Sequence, residues 1–466
     1  GRLPVKAPDL AVRGGTVLLG TGPVDADVVI RGERIAALTV PGFGPVARDT
    51  IDARGLYVLP GLIDLHVHLR EPGLTHKEDF ATGTRAALAG GFTTVFDMPN
   101  VQPATTTTGA FCSKVALAAS KAHCDFGLWA GGADPGAYRA FADLGAVGIK
   151  IYQQQLARIQ GNAYFKELFC TEEDALHEVF RGAAKVGLPV CLHAGAPGIE
   201  AAERERLIRA GRTRMQDLNA LRRIPAATLG TAKCVHLAGA AGARLHVAHI
   251  SLSGPECLDL IRRAKKRGAR VTAECPPVAL TLEDLERVGP LGLPFALPAD
   301  EIPLYWEAMA EGTIDAIATD HAPHTAEEKR LGSENVWKAP TGYPALEVSL
   351  AIGLERVRRG SFGLARLVEL MSTVPAKIAQ IHQIKGSIRI GTDADLTLVD
   401  LKAGWTVKAG DMESRAGWSP FEGRRFKGRV ISVVRRGRVA MRDREILARS
   451  GEGKYVTPQV ANGRTE

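Results

Sequence analysis

Two histidines separated by one residue, His66 and His68, are the first residues in the chain whose types and spacing could do chemistry. Side chains alternate across a strand, so both imidazoles of His66-Val67-His68 leave the same face and can hold one metal ion. Such a pair is weak evidence alone. Farther along, His193, His249 and Asp320 each stand at the end of an apolar run. Four histidines and an aspartate suit Zn2+ or a similar divalent ion. Lys150 is the unusual member. In Gly148-Ile149-Lys150-Ile151-Tyr152 it sits among apolar residues, where burial disfavours the charged form of an amine. Alone, this lysine reads as a packed stem whose head reaches solvent or a carboxylate. Beside four strand-end histidines it reads as a neutral amine that takes up CO2. The resulting carbamate is an anionic, bidentate ligand able to bridge two metals. Two metals held close together generate hydroxide at neutral pH and polarise a carbonyl, which equips a site to hydrolyse an amide, ester or phosphate. Asp320 could take the proton of a bridging water and pass it to the leaving nitrogen.

These residues are far apart in the chain and need a scaffold that gathers them. Eight apolar β-type runs occur: Leu62–Val67, Thr93–Met98, Asp125–Ala130, Val147–Tyr152, Pro189–His193, Arg244–Ile250, Arg270–Glu274 and Asp315–Thr319. Helix-length stretches such as Glu173–Val186 and Pro255–Arg267 intervene. Near-continuous apolar strands alternating with helices predict a parallel sheet buried on both faces. Eight such units over about 260 residues fit a (β/α)8, TIM-like barrel, which carries its catalytic groups at the C-terminal ends of the strands. The chemistry-bearing residues fall there. His66 and His68 end the first run, Asn100 follows the second, Lys150 lies in the fourth, and His193 and His249 end the fifth and sixth. Asp320, His321 and His324 follow the eighth.

The barrel is expected over residues 61–384. Residues 1–60 carry short β-type runs between Gly- and Pro-bearing turns: Leu10–Val12, Val17–Leu19, Asp27–Ile30 and Ile35–Leu38. Residues 385–450 repeat that pattern in Ser387–Ile390, Leu396–Val399 and Arg429–Met441. Neither piece makes a comfortable domain, and together they predict one small β-sandwich domain built from both chain ends. Residues 451–466 read as a polar, mobile tail, or as cover for a neighbouring subunit. The segment 153–169, after the fourth run, reads equally as a lid or a solvated connection.

At 466 residues, 45% hydrophobic and 24% charged, the balance is that of a globular protein and excludes wholesale disorder or collagen-like repeats. No membrane-spanning run and no signal-peptide core are found. Seven cysteines scattered singly, with no CxxC, predict a reducing, cytoplasmic compartment. They read as buried small hydrophobes, with Cys275 the one placed to touch the pocket. The net charge of +8 could attract an anionic substrate, but it is not segregated as nucleic-acid binding would require. The densest basic stretch, Arg424–Arg449, alternates with Val and Ile as a strand pair with solvated charges does. His76, His123, His177, His236, His246 and His382 lie outside the ligand pattern and read as core or surface histidines.

Several stretches are similar to the cyclic amidohydrolases and, more narrowly, to the dihydroorotases. They are PGLIDLHVHLREPG from Pro60, TVFDMPN from Thr94, GIKIY from Gly148, TDHAPH from Thr319, KGSI from Lys385 and GTDADL from Gly391. The resemblance runs from about residue 10 to about residue 445. It implies a metal-dependent barrel with a composite β-domain and a binuclear zinc site. His66, His68 and Asp320 would hold one ion, His193 and His249 the other, and carboxylated Lys150 would bridge them. Arg70, Asn100 and His324 would hold a substrate carboxylate, a task that suits the planar donors of arginine. An ordinary salt bridge from Arg70 to Glu71 or Glu78 is the alternative. The implied activity is the reversible interconversion of dihydroorotate and N-carbamoyl aspartate in pyrimidine biosynthesis, by a homo-oligomer able to contact aspartate transcarbamoylase. Three departures bear on the substrate. Glu274 to Leu280 lacks the histidine of the dihydroorotase pattern, and Leu293 to Leu297 lacks its Asn and Arg. Phe126 to Gly132 and Ser419 to Arg424 resemble allantoinases more closely. The alternative is therefore an allantoinase or a hydantoinase/dihydropyrimidinase-type enzyme acting on an uncharged ring. An inactive scaffold partner of aspartate transcarbamoylase is a third reading, against which the retained ligand set stands.

Overall fold

The computed structural model describes residues 7–153, 163–222 and 224–459. Five strands come first: β1 (Leu10–Leu19), β2 (Gly22–Arg31), β3 (Arg34–Thr39), β4 (Asp49–Asp52) and β5 (Tyr57–Pro60). β1 to β3 form an antiparallel meander, while β4 and β5 run parallel to β1. The runs Leu10–Val12 and Val17–Leu19 prove to be one strand. A bulge between Val12 and Gly15, with Gly14 at φ 71°, absorbs the break in the apolar pattern.

The chain then alternates strand and helix. β6 (Leu62–Val67), β7 (Phe92–Asp97) and β8 (Asp125–Leu128) make a three-stranded parallel sheet. β9 (Ala130–Gly131), β10 (Ile149–Tyr152), β11 (Pro189–His193), β12 (Arg244–Val247) and β13 (Val271–Cys275) belong to a six-stranded parallel sheet. After the separate pair β14 (Leu280–Thr281) and β15 (Ala296–Leu297), that sheet is completed by β16 (Ala316–Ile317). Only Trp129 separates β8 from β9. At the opposite edges Val67 makes a parallel bridge with His321, and the His68 amide donates to the His321 carbonyl at 2.8 Å. Every residue of β6, β7, β8 and β10 is buried, as expected for strands covered on both faces. The helix Glu173–Val186 shows how the cover forms. Leu176, Val179, Phe180 and Ala183 recur at helical spacing and are its buried residues. Glu173 and Asp174 complement its N-terminus, and Gly187 ends it at φ 76°. Burying each of the larger side chains contributes about 1.5–3 kcal/mol. The segment 153–169 lies partly outside the described residues. Of it, Ala163–Leu168 forms a short 3-10 helix.

The last strands return to the first. β17 (Leu396–Thr406), β18 (Arg425–Arg435), β19 (Arg438–Arg442) and β20 (Glu445–Ile446) extend β5, giving a nine-stranded sheet in the order β20-β19-β18-β17-β5-β1-β2-β3 with β4 on β1. Val12, Val28, Ile30, Val58, Leu396 and Val434 pack together in its core, so both chain ends share one apolar interior. The basic stretch is the antiparallel pair β18–β19, in keeping with its alternation. Ser387–Ile390 is not a strand. Gly386 turns the chain at φ 84°, and the Thr392 hydroxyl lies 3.1 Å from the Ser387 carbonyl and 2.7 Å from that of Arg389, so local bonds replace a ladder.

Residues 451–459 also differ from the mobile tail expected of them. The Phe126 amide donates to the Lys454 carbonyl at 3.0 Å, and the Val456 amide to the Phe126 carbonyl at 2.7 Å. Tyr455 packs 5.6 Å from the Phe126 ring. Two apolar residues in a polar segment suffice to dock it; 460–466 lie outside the described residues. Beneath this contact, Lys385 Nζ lies 2.8 Å from Asp125 and 3.0 Å from Asp393 and also pairs with Asp395. Arg436 reaches Asp125 at 2.6 Å and Asp393 at 3.1 Å, and Arg435 reaches Asp125 at 3.2 Å. Among the described residues, no helix is long and apolar enough to cross a membrane.

Candidate metal centre and active site

The strand ends carry unusual backbone. Arg70, His249 and Asp320 adopt φ values of 63°, 31° and 46°, the left-handed region that side chains with a Cβ rarely enter. Strain of this kind costs about 1–3 kcal/mol per residue and persists where the surrounding structure over-determines it. Here it accompanies three side chains that line a common pocket.

Five of the expected ligands converge. His66, His68 and Asp320 bring ligand-capable atoms within 4.8 Å of one another. His68 Nε2 lies 3.0 Å, and His66 Nε2 3.4 Å, from Asp320 Oδ1. The His249 ring sits 5.4 Å from His66 and 4.3 Å from His193. Lys150 is fully buried on the same wall, its Nζ 3.5 Å from Cys191 Sγ and 5.0 Å from the centre of the Tyr152 ring. Tyr152 stacks on His193 at 5.3 Å. Among the described residues no carboxylate pairs with Lys150, whereas buried Lys114 has Asp97 at 2.6 Å.

The donor set fits a divalent ion. Among the described residues, His66 Nε2 and His249 Nδ1 are buried without a hydrogen-bond partner, and an orphaned buried polar atom costs about 1–3 kcal/mol. Burial pushes His68 down to about 4 and His249 down to about 3, although Asp320 opposes both shifts. Burial also takes His193 well below its ordinary range, with His249 and Lys150 adding to the effect. Neutral imidazoles keep the lone pair that a metal requires. Burial alone would raise Asp320, but the neighbouring His66, His68 and His249 outweigh it and hold the carboxyl below its usual range.

Two further side chains orient the imidazoles. Asn100 Oδ1 accepts from His68 Nδ1 at 2.7 Å. The amide expected to bind substrate thus also steadies a ligand. Glu274 takes the same part for His66, through Nδ1. Glu274 is not among the residues expected at the site. Its one signal in the chain is an acid closing the seventh run, with no histidine beside it.

Arg70 and His324 come together at the mouth. Arg70 Nε donates to the Pro323 carbonyl at 3.0 Å, and its Nη2 lies 3.1 Å from His324 Nε2. His324 donates to the Thr341 carbonyl at 3.1 Å and accepts from Lys77 Nζ at 3.1 Å. Burial, with Arg70 adding, keeps His324 neutral by lowering it well below its ordinary value. Glu71 and Glu78, weighed as salt-bridge partners for Arg70, are engaged by Lys121 and by Ser414 respectively. Lys329 Nζ, fully buried, donates at 3.0 Å to each of the Leu293, Pro340 and Gly342 carbonyls, tying two rim loops together. Above the polar floor the pocket wall is apolar, with Met215, Leu218, Leu252, Leu285, Leu293 and Trp337 among its residues. Cys275 is buried and is not among the lining residues; its neighbour in sequence, Glu274, is the residue that bonds His66.

The arrangement therefore offers neutral nitrogen ligands, an ionised carboxylate and an adjoining half-apolar cavity, which is what metal-assisted hydrolysis of a small organic molecule needs. Comparison with known proteins agrees. The sequence model of the Amidohydrolase family matches residues 57–440. The chain is 36% identical to an allantoinase of Rubrobacter xylanophilus over 468 residues, covering 98% of this chain and 100% of the relative. It is 35% identical to a dihydroorotase of Citrifermentans bemidjiense over 440 residues, covering 92% and 99%. The solved structure of an L-hydantoinase (dihydropyrimidinase) from Arthrobacter aurescens superposes with a TM-score of 0.91 at 32% identity, covering 97% of this chain and 100% of that one. With its strand-end histidines gathered around Asp320, the chain belongs to the amidohydrolase family, as a cyclic amidohydrolase that acts on C–N bonds.

Proposed function

We propose that the chain opens an uncharged cyclic amide or imide ring bearing an apolar substituent, of the hydantoin or dihydropyrimidine type. The observation that carries this reading is the wall of Met215, Leu218, Leu252, Leu285, Leu293 and Trp337 facing the metal centre. Such a surface rewards an apolar arm by about 25 cal/mol per Å2 buried and gives nothing to a compact substrate whose only substituent is a carboxylate. The scaffold of the reading is one closed (β/α)8 barrel over 61–384, supported by the bridge from Val67 to His321. A composite β-domain of 1–60 and 385–450 completes it.

In this reading His66, His68 and Asp320 would hold one divalent ion and His193 and His249 a second, with a carboxylated Lys150 as a ligand available to both; zinc suits the ligand set. The ions supply, when bound, an activated water and a polarised carbonyl. The chain's own residues do the rest. Asp320 Oδ1 faces both His66 and His68, so Oδ2 is the oxygen left to take up a proton and deliver it to the departing ring nitrogen. Asn100 and Glu274 keep the imidazoles aimed. The loops tied by Lys329 hold the ring, and the apolar wall excludes water from its substituent.

A second reading, dihydroorotate hydrolysis and its reversal, is supported by Arg70, Asn100 and His324 lining the same pocket. Side-by-side turnover separates the two, with zinc-loaded protein in bicarbonate buffer meeting dihydroorotate, carbamoyl aspartate, allantoin, hydantoin, 5-benzylhydantoin and dihydrouracil. A preference for 5-benzylhydantoin is expected. A preference for dihydroorotate overturns the reading and makes Arg70 the specificity residue.

A further inference from the structure

Glu274 accepts from two imidazoles at once. Its Oε1 contacts His66 Nδ1, and its Oε2 lies 2.9 Å from His246 Nε2. His246 Nδ1 in turn lies 2.8 Å from Thr272 Oγ1. The register explains the assembly. β12 and β13 pair in parallel with His246 opposite Thr272, and Glu274, two residues on, shares the face of Thr272. All three of His66, His246 and Glu274 are 1% exposed or less. The His246 ring stacks on Trp129 at 6.3 Å with 9° between planes, and Trp129 is itself fixed by its Nε1 donating to the Leu65 carbonyl at 2.8 Å.

A buried carboxylate without a cation or solvent is costly. Its two oxygens accept here from two imidazoles, and what this secures is the proton on His66 Nδ1. With Nδ1–H donating to Glu274, Nε2 is the His66 atom left to ligate; it is buried, has no hydrogen bond among the described residues and lies 3.4 Å from Asp320 Oδ1. His246 likewise carries a proton on Nε2 towards Glu274, and its Nδ1 shares a hydrogen bond with the Thr272 hydroxyl. The row of contacts runs from Thr272 through His246 and Glu274 to His66.

We propose that Glu274, backed by His246 and Thr272, is a positioning residue that locks His66 in the tautomer able to ligate and so sets how tightly the His66–His68–Asp320 pole holds its ion. The inference rests on the metal reading of the preceding section. It concerns retention of the ion and needs no turnover to be tested.

The test uses the whole chain and Co2+ alone as probe. Metal is stripped, and the Co2+ dissociation constant is measured by chelator competition for wild type, Glu274→Gln and Glu274→Asp. The Co2+ absorption spectrum and the unfolding midpoint of the metal-free protein are recorded alongside. Glutamine offers one acceptor and one donor, so one of the two rings loses its partner or flips its proton. Glu274→Gln is expected to weaken Co2+ binding at one of two sites about 10–100-fold and to shift the visible bands, with part of the loss recovered in Glu274→Asp. An unchanged constant and unchanged bands in Glu274→Gln overturn the proposal. A fall in metal-free stability with normal Co2+ binding also overturns it, by reducing Glu274 to a packing role. Should Glu274→Gln fail to fold, Thr272→Val takes its place. It leaves both contacts of Glu274 intact and is expected to lower Co2+ affinity by a smaller factor; no change there overturns the proposal. Absence of Co2+ binding by wild type overturns the metal reading and this inference with it, whereas normal binding by the variants overturns this inference alone.

Discussion

Two buried groups of ionisable side chains in this molecule are balanced in opposite ways. Asp125, Asp393 and Asp395 bring carboxylate oxygens within 4.8 Å of one another, as do the ligand atoms of His66, His68 and Asp320. By ligand spacing alone the two look alike. The first group, however, is threaded by Lys385, Arg435 and Arg436, which supply its countercharge from within the chain. Among the described residues, the second leaves His66 Nε2 and His249 Nδ1 without a hydrogen bond, and no carboxylate pairs with Lys150. Spacing therefore does not identify a metal site. The discriminating feature is internal countercharge: Lys385, Arg435 and Arg436 pair with the first group, whereas among the described residues no lysine or arginine pairs with Asp320.

Breaking each group should have a different readout. Asp320→Asn is expected to cost about 10^3-fold or more in turnover of the preferred cyclic amide, within the range for removing a general acid–base group that also ligates. Its urea midpoint should move little. A variant with near-normal turnover would remove Asp320 from the mechanism. Lys385→Met should do the reverse. Three buried carboxylates lose their central cation, for an expected loss of about 3–5 kcal/mol in urea unfolding, while turnover per folded chain stays normal. A stable Lys385→Met protein would show that Arg435 and Arg436 suffice.

Acid separates the two groups by window. His68, pushed down to about 4 by burial, titrates near 6.5 when unfolded. Its folded value lies below its unfolded one, so its contribution is present above pH 6.5 and is lost as pH falls towards 4. The loss is about 3 kcal/mol. In Asp125, burial is outweighed by Lys385, Arg436 and Arg435, and the carboxyl lies below its ordinary value. Its contribution is therefore present above the ordinary aspartate value and lost only below it. Metal-free protein should weaken between pH 6.5 and 4, and His68→Gln should flatten that slope but not the one below. The smallest effect sharpens the comparison further. Ca2+, which prefers oxygen ligands, should leave the Asp125 group of the wild type indifferent. In Lys385→Ala it should recover about 1 kcal/mol at a few times its dissociation constant, seen as a rise in melting temperature.

Much of this was legible in the chain because it is written in local patterns. Pro189–His193 and Leu62–Val67 are strands with the expected bounds, and the helix Glu173–Val186 likewise. The periodicity of a strand buried on both faces belongs to the segment itself. The strand-end histidines were legible for the same reason, since a polar residue closing an apolar run needs a cause. Glu274 and the double role of Asn100 were not, because each acquires its meaning from a ring donated by a distant strand. Ser387–Ile390 carried a strand-like composition but sits between a left-handed glycine and a threonine that bonds its own turn. The docking of 451–459 rests on Tyr455 and Val456, too few residues to register in composition.

The shared sheet has a consequence in time. β5 lies between β1 and β17, so the N-terminal strands cannot complete their pairing until residues 396–406 exist. At about 5–20 residues per second, the first strands wait on a ribosome for tens of seconds with an open, apolar edge, a template for pairing with other chains. Asp125 likewise waits, uncompensated, for Lys385, Arg435 and Arg436. The strands and helices between, whose partners are near in sequence, are free to form in that interval. Assembly thus runs from the middle outwards, and the strands from Leu396 onwards close what β1 to β5 leave open.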